Sequence, residues 1–128
     1  MPVDTNMAIL VVDDYRHMRG VARKLLSQIG FNNVAEASDG SMALRKLKGG
    51  DFGLVISDWN MAPMSGIELL KAVRADDKLR RLPFIMISAE NKTENVLEAR
   101  AAGVDSYILK PFNAQTLKTK IQSVLGDF

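Results

Sequence analysis

Three carboxylates, a hydroxyl and a primary amine stand where short apolar segments of this chain come to an end. Asp13 and Asp14 follow Ala8-Ile9-Leu10-Val11-Val12, and Asp58 follows Leu54-Val55-Ile56-Ser57. Ser88 follows Phe84-Ile85-Met86-Ile87, and Lys110 follows Tyr107-Ile108-Leu109. Crowded carboxylates repel one another, and in isolation at least one takes up a proton. A hard divalent cation removes the conflict: magnesium prefers oxygen donors and is held by one or two carboxylates plus waters. With an amine and a hydroxyl added, the set has the parts that stabilise charge on phosphoryl oxygens during in-line transfer. One carboxylate is then the nucleophile and becomes an acyl phosphate. Asp58 is the better candidate because it stands alone at its strand end. Asp13 and Asp14, as a pair, suit metal binding.

Each of these residues also has an ordinary structural explanation. Asp14, just before Tyr15-Arg16-His17, fits a helix N-cap. Asp58 fits a turn, Ser88 a cap and Lys110 a solvated surface position. What favours chemistry is that all of them fall at successive strand ends. Other residues carry less. His17 is the only histidine and there are no cysteines, so it is a poor metal site, and without a matched serine and acid it makes no catalytic triad. His17 is expected at an exposed helix position. The seven methionines read as core gap-fillers. No glycine-rich dinucleotide fingerprint and no Walker A lysine motif occurs.

The elements that must position this set can be read from hydrophobic pattern. The four apolar runs are continuous rather than alternating, which fits strands buried on both faces. A weaker strand, Val34-Ala35-Glu36-Ala37, closes at Ser38-Asp39-Gly40. Between the strands, apolar residues recur at steps of three and four. Met18, Val21, Leu25 and Ile29 define one helical face, with Gly30 as its stop. Ala43, Leu44 and Leu47 define a second, and Ile67, Leu70 and Val73 a third. Val96, Ala99 and Gly103 mark a shorter helix, and Ala114, Leu117, Ile121 and Val124 the last. Five strands alternating with five helices predict an α/β fold with a parallel sheet and helices on both faces. In such a sheet ligands bind at the carboxyl ends of the strands, where the candidate residues lie.

The bulk properties agree with one domain. The chain has 128 residues, 47% hydrophobic and 25% charged, enough for a core without covalent staples. Residues 1–7 read as a short polar arm and 8–128 as the domain. The net charge of +2 is small and its positives are scattered, so nucleic-acid binding is not expected. No apolar run approaches the roughly 20 residues of a membrane helix, and no signal peptide is evident. The expected location is the cytoplasm and the expected state a monomer.

Taken together these residues resemble the response-regulator receiver family, and within it the single-domain chemotaxis members. The matching stretches are Leu10-Val11-Val12-Asp13-Asp14, Leu25-Leu26 through Gly30-Phe31-Asn32-Asn33-Val34, and Val55-Ile56-Ser57-Asp58-Trp59-Asn60-Met61. Glu68-Leu69-Leu70-Lys71 with Arg74-Ala75-Asp76, Ser88-Ala89-Glu90 and Lys110-Pro111-Phe112 complete them, so that the likeness runs from about Ala8 to Leu125. It implies a flavodoxin-like five-stranded parallel sheet in the order 2-1-3-4-5. It implies that Asp58 is phosphorylated, and that Asp14, Asp58 and the backbone carbonyl of Asn60 bind Mg2+ directly, with Asp13 acting largely through water. Ser88 would hydrogen-bond the phosphoryl group, Lys110 would pair with it, and Tyr107 would turn inward as Ser88 is drawn to the phosphate. Asn60 and Glu90 would tune loss of the phosphoryl group. Lys92, Val96, Ala99, Val104, Tyr107 and Lys120 would line the switching face, and the Lys110–Pro111 peptide would be cis. Two departures stand in Met61-Ala62-Pro63-Met64-Ser65-Gly66: the proline is displaced by one, and Ser65 replaces an acid.

The expected function is that of a phosphorylation-activated regulator in a two-component, chemotaxis-type pathway. A histidine kinase would supply the phosphoryl group, and a downstream protein such as a flagellar motor switch component would read the switched face. The chain ends soon after its last helix, so no output domain is expected, and no activity beyond self-phosphorylation and self-dephosphorylation. Within the family the alternative is a phosphate sink that drains a shared kinase. A small aspartyl-phosphate phosphohydrolase usually carries a second acid two residues after its nucleophile, where Asn60 stands. A flavin module on the same sheet would need a phosphate loop where Asp13 and Asp14 would repel one.

Overall fold

The computed structural model describes residues 3–89 and 93–128. Glu90 and Lys92, named above, lie outside the described residues. Among those described, five strands alternate with five helices: β1 (Ile9–Val12), α1 (Arg16–Gln28), β2 (Val34–Ala37), α2 (Gly40–Gly49) and β3 (Leu54–Asp58) come first. They are followed by α3 (Gly66–Ala75), β4 (Phe84–Ser88), α4 (Thr93–Ala101), β5 (Ser106–Leu109) and α5 (Ala114–Leu125). The strands form one parallel sheet in the order β2-β1-β3-β4-β5. The expected fold class and strand order are therefore the observed ones.

The apolar runs are continuous because both faces of the sheet are covered. Side chains alternate across a strand, and the alternation here feeds two separate cores. Leu10, Val12, Val55, Phe84 and Met86 point to the side covered by α2, α3 and α4, where they meet Ala43, Leu47, Leu70, Val73 and Ala99. Ile9, Val11, Leu54, Ile56, Ile85 and Ile87 point to the other side and meet Ala22 and Leu26 of α1 and Leu117 and Ile121 of α5. Nearly all of these side chains are fully buried, and each of the valine, leucine, isoleucine, phenylalanine and methionine side chains contributes about 1.5–3 kcal/mol by leaving water.

Helix starts are set by side chains that satisfy otherwise orphaned amides. Asp39 accepts from Met42 N at α2, and Asn113 accepts from Thr116 N at α5. Ser65 begins α3 with a reciprocal box: its hydroxyl accepts from Glu68 N at 3.3 Å, and Glu68 Oε1 accepts from Ser65 N at 3.1 Å. The serine that departs from the family pattern is thus a helix cap. The Lys110–Pro111 peptide is cis, as the resemblance implies, and so is Ala62–Pro63, which was not anticipated.

One expectation is corrected. The buried line of α1 is Ala22 and Leu26, with Leu25 and Ile29 on its flank, whereas Met18 and Val21 are only half-buried. The apolar stripe read from sequence is rotated from the contact line, because the small Ala22 lets the helix approach the sheet. Described residues of the polar arm make contacts with the domain. Val3 N donates to Asp127 O at 3.1 Å, Asn6 N donates to Asp4 Oδ1 at 2.9 Å, and Val3 and Met7 pack on the α1/α5 core. Phe128 closes the same region, its ring edge-to-face with Phe31 at 4.9 Å.

Candidate functional site

β1 and β3 are neighbours in the middle of the sheet, so their carboxyl ends deliver Asp13, Asp14 and Asp58 side by side. One carboxylate oxygen from each lies within 4.8 Å of the other two. Asp13 and Asp58 are buried, each 7% exposed, while Asp14 is exposed at the mouth. Lys110, carried by the end of β5, reaches across with Nζ 2.9 Å from Asp58 Oδ1 and 3.7 Å from Asp13 Oδ2. Ser88 ends β4 between them, fully buried, and its carbonyl accepts from Lys110 N at 2.9 Å. The five side chains singled out from sequence are therefore gathered at one edge.

For Asp14, Asp58 and Lys110 the ordinary explanations fall away on geometry. The N-cap of α1 is Tyr15, without a side-chain cap, so Asp14 is not capping that helix. Asp58 is the last residue of β3 rather than part of a turn. Lys110 is paired with acids instead of being solvated.

The electrostatics show what the cluster lacks. Burial pushes the Asp13 carboxyl above its ordinary range. The hydrogen bond from Tyr15 N to Asp13 Oδ1, at 2.9 Å, and the charge of Lys110 pull the other way, while repulsion from Asp58 and Asp14 adds to the rise. For Lys110, burial disfavours the charge, but the hydrogen bond and charge of Asp58, then those of Asp13, outweigh it and leave the ammonium more basic than usual. One amine facing three acids leaves negative charge uncompensated. Hard, crowded carboxylate oxygens with one open side fit Mg2+, whose charge would relieve the strain on Asp13.

The loop after Asp58 is tied closely beneath the site. Trp59 N donates to Ile87 O at 3.0 Å, and Gly66 N donates to Trp59 O at 2.9 Å. A Cβ at Gly66 would lie 2.1 Å from Asp58 O and 2.9 Å from Met86 Sδ, so only glycine allows α3 to start this close to Asp58. The sequence pattern did not single out Gly66, although a glycine just after a cap is the trace it leaves. Asn60 is exposed in the same loop, two residues beyond Asp58.

Tyr107 is half-buried, with its ring centroid 6.3 Å from that of Trp59, so it adjoins the loop after Asp58 on one side. On the other it helps line a groove of about 380 Å³ with Val96, Arg100, Ser106, Leu109 and Lys120. Val96, Tyr107 and Lys120 were expected there. Ala99 is a correction: it is fully buried against the sheet and offers nothing to a partner. Val104 packs half-buried against the same core. Leu109 and Arg100 were missed, although Leu109 follows Tyr107 by two positions and so shares its face of β5. His17 is exposed on α1, as expected.

A family model described as the response regulator receiver domain matches residues 9–122. The chain belongs to that family. It is 52% identical over 122 residues to the chemotaxis protein CheY-3 of Vibrio cholerae, covering 95% of this chain and 94% of that one. Among solved structures it is similar to CheY4 of Vibrio cholerae, with a TM-score of 0.87 and 36% identity over 94% of this chain and 99% of that one. It is also similar to a CheX–CheY–BeF3–Mg2+ complex from Borrelia burgdorferi, with a TM-score of 0.85 and 28% identity over 91% and 87%. This receiver is thus of the CheY-like, two-component chemotaxis type, a class of signalling proteins rather than of metabolic enzymes. Among the described residues no helix is long and apolar enough to cross a membrane.

Proposed function

We propose that Asp58 of this receiver accepts a phosphoryl group from a phosphohistidine of a histidine kinase, and that the modified chain signals through the Tyr107 groove. The observation that carries this is the 2.9 Å contact of Lys110 Nζ with Asp58 Oδ1 inside the three-carboxylate cluster. An Asp58 carboxylate oxygen attacks phosphorus in line; the O–P bond forms as the P–N bond breaks, and the electron pair leaves with the histidine nitrogen. Asp14, Asp58 and the Asn60 carbonyl would hold Mg2+, with Asp13 acting largely through water, and the ion would supply charge neutralisation at the phosphoryl oxygens. Lys110 turns from the free carboxylate to those oxygens, and the Ser88 hydroxyl donates to one of them. Water attack at phosphorus later releases inorganic phosphate and restores the carboxylate, with Asn60 and Glu90 tuning the rate.

The switch follows from proximity. Ser88, drawn toward the phosphoryl group, leaves space for Tyr107 to turn inward, and the groove shared with Val96, Leu109 and Lys120 changes shape. The modification shifts a two-state equilibrium already present in the protein. The downstream partner is a protein of the motor-switch kind that grips this groove, and the chain acts as a monomer. The test is incubation with acetyl phosphate and Mg2+, read by intact mass. One phosphoryl adduct per chain, absent in Asp58→Asn and absent in EDTA, is the expected outcome. An adduct that persists in Asp58→Asn would overturn the assignment.

A further inference from the structure

The loop from β1 to α1 carries two of the three site carboxylates, and something must fix its backbone. Asp13 N is held by the sheet, donating to Ala37 O at 3.1 Å. Its carbonyl is held by a side chain: Arg19 Nη1 donates to Asp13 O at 2.8 Å. Arg19 is only 15% exposed, and its Nε donates to Glu36 Oε1 at 3.0 Å. Glu36, on β2, is gripped on its other oxygen by Arg23, whose Nη1 lies 2.7 Å from Oε2 and whose Nη2 donates to Val34 O at 2.6 Å. One guanidinium fork is thus braced on the edge strand and aimed at the main chain of a site residue.

We propose that Arg19 is a positioning residue for the cation site, and that the Glu36 carboxylate is its brace. The rigid planar fork of arginine suits this, because two donors at fixed angles convert the place of Glu36 into the place of Asp13 O. With that carbonyl pinned, the peptide leading into Asp14 is oriented as well, and both carboxylates face Asp58. Groups that orient metal ligands in this way typically change metal affinity by about 10–100-fold when removed. Arg23 serves as an internal control, since it binds the same Glu36 and the same strand but does not touch Asp13.

This inference rests on the proposed Mg2+ site, and the test separates the two. Mg2+ titration is followed by fluorescence of Trp59, the single tryptophan and the neighbour of Asp58. Wild type, Arg19→Ala, Arg19→Lys, Glu36→Gln and Arg23→Ala are compared, each also scored for folding by urea midpoint. About a tenfold weaker Mg2+ affinity is expected in Arg19→Ala. Partial recovery is expected in Arg19→Lys, an intermediate loss in Glu36→Gln, and a change under twofold in Arg23→Ala. In EDTA, amide hydrogen exchange at residues 13–15 should quicken in Arg19→Ala and not in Arg23→Ala. A wild type blind to Mg2+ at millimolar concentration would sink the site itself, and the exchange comparison would then decide the positioning role alone. A binding wild type with equal affinities in Arg19→Ala and Arg23→Ala would overturn the role of Arg19. Should Arg19→Ala not fold, an unchanged affinity in Glu36→Gln would do the same.

Discussion

At the scale of single residues, the site is a crowd of like charges. Asp13 shows this most directly, since burial raises its pKa. An acid whose pKa is higher folded than unfolded opposes folding once ionised. The penalty is absent below the unfolded value of about 3.9 and complete above the folded one. In EDTA, Asp13→Asn should therefore be more stable than wild type near neutrality, and the difference should shrink as pH falls through the carboxylate range. Urea midpoints measured between pH 3.5 and 7 check the sign; a difference that grows on acidification contradicts it. Lys110 acts in the other direction, as the cation that, among the described residues, pairs with Asp58. Lys110→Ala should fold yet take up phosphoryl groups about 100- to 1,000-fold more slowly, the cost of losing one preorganised charge donor. Intact mass against time with a small phosphodonor reads this.

At the scale of elements, α3 shows how a helix start serves a site. The Ser65–Glu68 box fixes where the helix begins, and Gly66 lets it begin against Asp58 O. These two contributions can be separated. Ser65→Ala loses one cap and should cost about 1 kcal/mol in stability with Asp58 chemistry nearly intact. Gly66→Ala must move the Asp58 backbone or the start of α3. A loss above about 2 kcal/mol is expected, together with weaker Mg2+ binding. Urea unfolding paired with Mg2+ titration of both variants distinguishes a stability effect from a site effect. The same element logic explains Ala99. Ala99 packs with the core between α4 and the sheet, and so a position that looked suited to a partner face is buried.

At the scale of the whole molecule, the site and the groove are joined through the sheet. Asp58 and Ser88 end adjacent strands, Tyr107 lies in the next, and Trp59 touches Tyr107 across the gap. Cation binding should therefore be felt as global stability. At a Mg2+ concentration 100 times its Kd, wild type should gain about 2.7 kcal/mol. Asp58→Asn, with one fewer charge to compensate, should gain much less. Thermal or urea melts with and without Mg2+ test this, and an equal gain in both proteins would remove Asp58 from the cation site.

The sequence by itself determined the element types, their order and the members of the acidic cluster. A strand covered on both faces must be continuously apolar, so Ile9–Val12 and Phe84–Ser88 announce themselves, and the polar residue that ends each run must lie at the sheet edge. What only the tertiary structure decided was phase and contact. It set Ala22 rather than Val21 on the sheet-facing line of α1, tied Val3 to Asp127, and lined the groove with Leu109 and Arg100 in place of Ala99. It also brought Glu36 to Arg19, 17 positions away in the chain. Periodicity is a local property and survives in a sequence read alone. Which side of a helix is pressed closest, and which distant carboxylate meets which guanidinium, depends on how separate elements pack.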